Sequence, residues 1–381
     1  MPCHAPSSHR PRVTPLDVLI CGAGPAGCAT ALALRQSGVG HVGLVDWPLE
    51  RLWSIGESAT PDVGPMLARL GLPDAMHAHA PYQGNLSLWG NRREIDDFLH
   101  RGRGNGWHLD REAFDTMLRE AAVARGVHLV RPAKIDQLAW EGRGWALRLS
   151  DNSEWRARIL VDATGRRAEL ATRLGATRQR IDALVALGTV VPRPKGGGLA
   201  GLSLLEPFAF GWWYAAPLPD ARAVVCLMTD RDLARQNDLR DSHRFRQVWC
   251  DTEELARRLP PPIEAPRIAS FPAHSACLDR AAGPGWMAVG DALMAFDPLT
   301  SSGISGALAD GLAAADTLVG WLAGQPMAPS GQAWARRADT SWRRYLDQRR
   351  KHYSAEQRWP DSPFWSARKD PPHQAGPSQI T

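Results

Sequence analysis

The 381-residue sequence predicts an α/β fold in which a Rossmann-like domain carries an inserted β-rich domain and is followed by a C-terminal helical segment. The first observation is an apolar run at 16–21, a glycine-rich turn at 22–27 and a helix-forming stretch at 26–36. A second apolar run at 41–45 completes a βαβ unit. The other observation is a series of extended segments joined by Pro and Gly turns without a second glycine loop, which predicts a mostly antiparallel sheet.

The same patterns divide the chain into segments. Strand-like runs of the first domain continue at 127–131, 145–149, 159–162 and 286–289. The extended segments of the inserted sheet lie at 85–89, 184–191, 208–218 and 221–228. We predict a flexible tail at 1–15, a discontinuous nucleotide-binding domain at 16–75, 107–180 and 268–324, a substrate domain at 76–106 and 181–267, and a C-terminal helical segment and tail at 325–381.

The composition argues against several classes of function. The net charge of +5 comes from scattered Arg residues, and no block of like charge resembles a nucleic-acid-binding tail. The six Cys residues have no metal-ligand spacing, so we expect reduced thiols, a cytoplasmic location and no metal site. The most apolar stretch, at 303–322, carries Asp310 and Asp316 and is predicted to be a core helix rather than a membrane span.

The glycine-rich turn predicts a dinucleotide site. Gly22 permits a tight turn, Gly24 lets the backbone approach a pyrophosphate, and Gly27 allows the helix to pack on the strand. The helix N-terminus offers N–H groups and a positive dipole end to the phosphates. Asp46 follows the second strand, where an acidic side chain accepts hydrogen bonds from the ribose hydroxyls. The predicted phosphate-binding residues are Gly22, Ala23, Gly24, Pro25, Ala26 and Gly27.

Later motifs identify the dinucleotide. Residues 161–165 read Val-Asp-Ala-Thr-Gly, Gly290-Asp291 ends another strand, and residues 297–304 read Asp-Pro-Leu-Thr-Ser-Ser-Gly-Ile. In this order, the motifs resemble those of class A flavin monooxygenases and flavin-dependent halogenases. The resemblance implies noncovalent FAD, with Asp291 at the ribityl chain and N–H groups of 298–304 beside the flavin pyrimidine ring, where a helix N-terminus stabilises negative charge. The additional cofactor-binding residues that it implies are Asp162, Gly165, Gly290, Asp291, Pro298, Ser302, Gly303 and Ile304.

Two further segments resemble the halogenase-like branch of this group. Residues 56–61, Gly-Glu-Ser-Ala-Thr-Pro, resemble the loop after the second strand in that branch. Residues 106–115 resemble its WHxDRxxFD segment, in which an arginine faces the cofactor. The resemblance therefore implies that Glu57, Ser58 and Arg111 contact FAD.

Residues 211–214, Gly-Trp-Trp-Tyr, stand where halogenases have a tryptophan-rich strand motif. A continuous strand here predicts that alternate side chains share one face. The aromatic residues on that face are Phe208, Phe210, Trp212 and Tyr214. They form either the wall of a substrate pocket or ordinary core packing.

The two residues that halogenase chemistry requires are absent. Flavin halogenases use a lysine after the 56–61 loop and a glutamate in the flavin-binding loop. Here no lysine precedes Lys134, Gln83 falls at or near the lysine position, and Thr300 stands in place of the glutamate. Because an amide and a hydroxyl can neither form a haloamine nor supply the charge, the sequence disfavours halogenation and leaves flavin chemistry intact.

Hydroxylation requires fewer specific catalytic side chains than halogenation does. The resemblance implies that NAD(P)H, or reduced flavin from a separate reductase, supplies electrons, that O₂ gives a flavin C4a-hydroperoxide, and that an electron-rich ring attacks its distal oxygen. The protein must orient the ring and exclude water. The candidate catalytic residues are Gln83, His108, Trp212, Tyr214 and Ser302, with His274 as a further polar candidate.

The segment at 353–365 resembles a YxxExRWxxxxFW ending of branch members that lack the halogenase residues. They include enzymes that hydroxylate a tryptophan in a partner protein to build a tryptophylquinone cofactor. We therefore predict an FAD-dependent monooxygenase that hydroxylates an aromatic substrate, with tryptophan, free or in a partner polypeptide, as a candidate. A halogenase, a reductase of the geranylgeranyl reductase type and a non-catalytic flavin-binding partner remain as alternatives.

Overall fold

The computed structural model describes residues 15–46, 56–130, 134–194 and 198–369. The predicted tail at 1–15, apart from its last residue, and the chain end after residue 369 lie outside these ranges, as does position 131 of the strand-like run at 127–131.

The strands, in chain order, are β1 (Leu16–Cys21), β2 (Val42–Val45), β3 (Ser58–Ala59), β4 (Ala80–Tyr82), β5 (Gly84–Ser87), β6 (Glu94–Asp97), β7 (Gly106–His108), β8 (His128–Val130), β9 (Ile135–Trp140), β10 (Trp145–Leu149), β11 (Glu154–Asp162), β12 (Arg178–Arg180), β13 (Leu184–Pro192), β14 (Leu202–Phe208), β15 (Gly211–Pro217), β16 (Arg222–Asp230), β17 (Ala269–Pro272), β18 (Ala276–Leu278), β19 (Ala282–Gly283), β20 (Trp286–Ala288) and β21 (Met294–Ala295). The helices are α1 (Pro25–Gln36), α2 (Val63–Arg69), α3 (Arg111–Ala124), α4 (Glu169–Arg173), α5 (Arg231–Gln236), α6 (Ser242–Cys250), α7 (Glu254–Arg258), α8 (Gly303–Leu322), α9 (Met327–Ala355) and α10 (Pro363–Lys369).

The first large sheet contains the predicted βαβ unit. Strands β8, β2, β1, β11 and β20 lie side by side and run parallel, β19 pairs with β20 at one edge, and β10 and β9 extend from β11 as antiparallel strands. β1 is apolar almost throughout because it is buried in the middle of this sheet. Helices α1 and α8 pack closely, since a Cβ added at Gly311 would lie 2.6 Å from the Cβ of Ala29.

The second large sheet has the order β17–β13–β16–β15–β14–β5–β6, and its neighbours are antiparallel except for β14 and β5. One face carries Trp213, which packs against Phe245 and Trp249 of α6. The opposite face carries Trp212, which lies in a core shared with Tyr353 of α9. Both faces of the central strand β15 are therefore covered, and its burial explains the dense run of aromatic and small residues.

Two smaller antiparallel sheets, β3–β7–β4 and β12–β18–β21, complete the described strands. The predicted fold class is confirmed: a Rossmann-like sheet, a second β-rich unit and C-terminal helices are all present. Across the described ranges, no helix combines the length and the apolar character needed to cross a membrane.

Two local predictions are wrong. The segment at 208–218 is not one strand, because β14 ends at Phe208, residues 209–210 form a turn and β15 begins at Gly211. The extended segment predicted at 85–89 ends at Ser87, after which Trp89–Asn91 form a short 3₁₀ turn.

Candidate active site

The glycine-rich turn between β1 and α1 leaves unobstructed backbone where a phosphate would approach. Gly22 has φ +117°, and a Cβ added there would overlap the carbonyl of Ala163. At Gly27 an added Cβ would overlap the Gly22 carbonyl oxygen. At Gly24, by contrast, an added Cβ would have no atom within 4 Å, and no side chain caps the start of α1. The turn therefore fits a dinucleotide pyrophosphate, which would accept hydrogen bonds from the first N–H groups of the helix.

The rest of the phosphate-binding motif is placed consistently with this fit. Pro25 occupies the first helical position, where its missing N–H is not needed. Ala23 and Ala26 are buried at the turn. Asp46 directly follows β2, its side chain is partly exposed, and its N–H donates to the Val130 carbonyl at 3.0 Å.

The loop after β11 lies beside this turn. The buried Asp162 carboxylate accepts hydrogen bonds from the N–H and hydroxyl of Thr164, at 2.9 and 2.6 Å, and from the N–H of Ala171 at 2.7 Å. Burial raises the pKa of Asp162, and these hydrogen bonds act in the opposite direction. An added Cβ at Gly165 would meet no atom within 4 Å. Asp162 therefore shapes its own loop, whereas Gly165 presents open backbone.

The Gly290–Asp291 turn packs onto the start of α1. A Cβ added at Gly290 would lie 2.7 Å from the Cβ of Ala26. The Asp291 side chain is 38% exposed and pairs with Arg166 at 3.3 Å. Arg178 donates to the Asp291 carbonyl at 2.8 Å. Neither guanidinium group was predicted from the sequence, and both hold the turn in place.

The flavin loop, residues 297–304, connects β21 of the small sheet β12–β18–β21 to α8. Pro298–Thr300 form a 3₁₀ turn, and Ser301 adopts a left-handed conformation with φ +48°. Gly303 begins α8, and a Cβ added there would meet no atom within 4 Å. Ile304 is buried in the first turn of this helix. Because no side chain caps α8, its first N–H groups and positive dipole end fit the anionic edge of a flavin ring.

Hydroxyl groups within the flavin loop bond to one another. The Thr300 hydroxyl donates to the Asp297 carbonyl at 3.0 Å and shares a hydrogen bond with the Ser302 hydroxyl at 2.7 Å. The uncharged hydroxyls of Thr300 and Ser302 therefore both form hydrogen bonds within the loop.

Beside the flavin loop, side chains from the second large sheet and from the small sheet β3–β7–β4 meet. The Ser58 hydroxyl lies 2.7 Å from the Tyr214 hydroxyl and 3.2 Å from Nδ1 of His108. His108 Nε2 lies 3.2 Å from the Gly201 carbonyl oxygen, and its ring packs 4.6 Å from that of Tyr82. The Tyr82 hydroxyl continues the network to two further polar side chains. We call these residues the buried polar cluster: Ser58, Tyr82, Asn85, His108, Ser203 and Tyr214.

The buried polar cluster carries no charge at neutral pH. Burial lowers the pKa of His108 to about 4, so the imidazole is neutral. Burial raises the pKa of Tyr82 to about 12, although hydrogen bonds with Ser203, Asn85 and Ser301 oppose the rise. The contact with Ser301 joins the cluster to the flavin loop. Burial also raises the pKa of Tyr214.

Glu57 lies next to this cluster and is 3% exposed. Its Oε2 accepts the Gly56 N–H at 3.0 Å, whereas its Oε1 is buried without a hydrogen-bond partner. Burial raises the pKa of Glu57 to about 7, and Arg111 opposes the rise. Arg111 begins α3, pairs with Asp115 at 3.1 Å and lies close to Gly56. Glu57 and Arg111 therefore lie together at the loop that precedes Ser58.

The remaining predicted site residues lie elsewhere. Gln83 stands between β4 and β5 with an exposed side chain near Gly201. Trp212 is fully buried, and its Nε1 donates to the Tyr353 hydroxyl at 3.1 Å. His274 is buried, Nε2 lacks a partner, and burial together with neighbouring arginines lowers its pKa to about 4.

The predicted aromatic face is wrong. Because residues 209–210 turn, Phe208 packs with Phe210 and Trp213, on the side of the sheet opposite Trp212. Tyr214 keeps the same side as Trp212, and its hydroxyl reaches Ser58.

A family model described as tryptophan halogenase matches residues 91–379. The chain belongs to the tryptophan halogenase family. This membership confirms the predicted resemblance to the halogenase-like branch and makes the protein a flavoprotein oxidoreductase by family.

Three relatives of this tryptophan halogenase family member are informative. The putative FAD-dependent oxidoreductase LodB of Marinomonas mediterranea is 28% identical over 361 residues, which cover 92% of this chain and 96% of LodB. Tryptophan 2-halogenase of Chondromyces crocatus is 28% identical over 81% of this chain and 62% of its own length. The structure of QhpG, a peptidyl tryptophan dihydroxylase essential for tryptophylquinone cofactor biogenesis, is 25% identical, has a TM-score of 0.77, and is matched over 93% of this chain and 79% of QhpG.

Proposed function

We propose that the protein is an FAD-dependent monooxygenase that hydroxylates an aromatic ring, with tryptophan, free or in a partner polypeptide, as the first candidate substrate. The observation that carries the proposal is the absence of charge at two positions. Gln83 stands at or near the position of the halogenase lysine. Thr300 stands at the position of the halogenase glutamate, and its hydroxyl forms hydrogen bonds inside the flavin loop. Neither group can form a haloamine or act as a charged partner of a hypohalous acid.

The relatives support the choice of substrate class. QhpG, which matches this chain over most of its length, acts on peptidyl tryptophan. LodB, which has nearly the same extent as this chain, is a putative FAD-dependent oxidoreductase. Halogenases also belong to the family, so the departure at Gln83 and Thr300 is what favours oxygen transfer.

FAD would supply the activation of O₂ when it is bound. Gly24 and the start of α1 would hold the pyrophosphate, and the N-terminus of α8 would stabilise negative charge on the flavin. The hydroxyls of Ser58 and Tyr214 would orient a polar ring atom of the substrate. Because the buried polar cluster is uncharged at neutral pH, it suits a neutral aromatic ring better than an ionic substrate.

The test is a labelled-oxygen assay with the FAD-loaded protein. NADH, NADPH and a separate flavin reductase are compared as electron sources, with free tryptophan and a tryptophan-containing polypeptide as substrates. Under ¹⁸O₂ we expect product that contains the heavy oxygen, and added chloride or bromide should change neither its mass nor its yield. A halogenated product at catalytic yield would refute the proposal. The Gly24→Val variant, which should lack FAD, is the control for uncatalysed oxidation.

A further inference from the structure

The flavin loop begins at a buried carboxylate that several side chains contact. Asp297 is 1% exposed. Its Oδ1 accepts the N–H of Leu299 at 3.0 Å, which closes the first turn of the loop. Its Oδ2 accepts the Tyr353 hydroxyl at 2.8 Å and lies 3.5 Å from Nε of Arg349. A buried carboxyl group needs such partners, and here its side-chain partners, Tyr353 and Arg349, come from outside the loop.

These partners form one stripe of α9. Tyr345, Arg349 and Tyr353 are spaced four residues apart and therefore share a face of the helix. The Tyr345 hydroxyl accepts the backbone N–H of Asp297 at 3.1 Å. Arg349 also pairs with Asp182 at 3.1 Å. We call Tyr345, Arg349 and Tyr353 the anchor face of α9. All three of its residues contact Asp297.

Tyr353 links this anchor to the second large sheet. Its hydroxyl donates to Asp297 and accepts the Nε1–H of Trp212, a residue of the central strand β15. Tyr214 lies two residues after Trp212 on the same strand and belongs to the buried polar cluster, in which its hydroxyl contacts that of Ser58. A continuous path of hydrogen bonds and one strand therefore connects the proposed substrate side with the flavin loop.

We propose that Tyr353 is a positioning residue that fixes the flavin loop through Asp297 and makes the position of that loop depend, through Trp212, on the packing of the second sheet. The α9 face thereby sets where the N-terminus of α8 stands relative to the flavin. The inference requires FAD in the predicted place and does not rest on hydroxylation. A halogenase or a reductase with this chain would need the same anchor.

Tyr353→Phe tests the inference because it removes only the hydroxyl. In the apoprotein, we expect amide hydrogen exchange at Leu299 and Thr300 to become about threefold to tenfold faster, since one hydrogen bond that holds Asp297 is lost. The FAD dissociation constant should rise by a similar factor, and the flavin reduction potential should shift.

The matched control is Trp365→Phe. Trp365 is fully buried, its ring centroid lies 5.9 Å from that of Tyr353, and its Nε1 donates to the Phe208 carbonyl at 3.0 Å. This control also removes one hydrogen bond from the same core, but that bond ends on the Phe208 carbonyl rather than on the flavin loop. It should leave loop exchange and FAD affinity unchanged. Equal effects of the two variants, or none from Tyr353→Phe, would show that Tyr353 only contributes to packing.

Trp212→Phe tests the link to the sheet and serves if Tyr353→Phe does not fold. It leaves the Tyr353 hydroxyl and Asp297 in place, removes the hydrogen-bond donor on β15, and puts a smaller ring at this fully buried position of the second sheet. We expect amide hydrogen exchange in the flavin loop to become faster, by a smaller factor than in Tyr353→Phe. Unchanged loop exchange would overturn the dependence on the second sheet. Hydrogen exchange, FAD affinity and the flavin reduction potential are all measured without the product, so a failed labelled-oxygen experiment would leave the inference standing.

Discussion

Glu57 should make the apoprotein less stable as the pH rises from about 4.5 to about 7, and Glu57→Gln should remove this dependence. The carboxyl is 3% exposed, and one of its oxygens is buried without a hydrogen-bond partner. Its ionised form is therefore poorly solvated in the folded state, whereas its protonated form is uncharged and easier to bury. Glutamine has nearly the same shape and cannot ionise.

The pKa of Glu57 gives the size and the sign of the change in unfolding free energy with pH. Burial raises this pKa from the ordinary 4.5 to about 7. At about 1.4 kcal/mol for each pKa unit, the rise corresponds to about 3 kcal/mol. Because the folded protein keeps the proton to a higher pH than the unfolded chain does, this stabilisation is complete below pH 4.5. It is lost as the pH rises to about 7.

The assay is urea unfolding of the apoprotein, followed by tryptophan fluorescence at several pH values across that window. The free energy of unfolding of Glu57→Gln relative to the wild type should increase by about 3 kcal/mol between the acid and the neutral end. Glu112→Gln, which changes an exposed carboxylate at the start of α3, should leave the wild-type pH dependence unchanged. If the Glu57→Gln and wild-type curves run parallel, Glu57 does not hold its proton to neutral pH, and the reasoning from its burial fails.

Other substitutions give further predictions. Gly24 has φ −80°, which any residue adopts, and an added Cβ has no atom within 4 Å, so Gly24→Val should change the unfolding free energy by less than about 0.5 kcal/mol yet abolish FAD binding measured by flavin fluorescence. Trp212→Ala should destabilise the protein by about 3 to 5 kcal/mol in urea unfolding because it empties a fully buried site; a loss below about 1 kcal/mol would contradict its place in the core. Arg368→Met should destabilise by about 3 kcal/mol because it leaves Asp230 without its ion-pair partner, and adding Asp230→Leu should recover most of that loss.

The local geometry of the candidate cofactor side could be predicted because each of its motifs is local. One strand–turn–helix unit contains Gly22, Gly24 and Gly27. Their spacing predicts that Gly22 and Gly27 pack against neighbouring backbone and that Gly24 faces open space. The resemblance supplied Ser58 and His108 from segments that are far apart in sequence. It could not state that their side chains share a hydrogen bond, because that contact depends on how β3 pairs with β7.

The errors have a physical cause as well. Alternation along a strand assigns faces only while the strand continues, and the turn at residues 209–210 moves Phe208 to the side opposite Trp212. The anchor face of α9 was visible only as a spacing of four between Tyr345, Arg349 and Tyr353. Its target, Asp297, lies about fifty residues earlier, and nothing in the chain around Asp297 marks it as buried.

Glu57 lies near the buried polar cluster, and its pKa allows it to gain or lose a proton near neutral pH. His108 stays neutral because its pKa is lowered to about 4, and Tyr82 keeps its proton because its pKa is raised to about 12. Among the described residues in or beside the buried polar cluster, Glu57 is the one whose pKa is raised into the neutral range. In the hydroxylation that we propose, the ring carbon that gains oxygen must release a proton, and we propose that the Glu57 carboxylate, next to Ser58, accepts it. The burial that destabilises ionised Glu57 would thus also raise its basicity, which connects the stability measured without cofactor to the chemistry proposed with it.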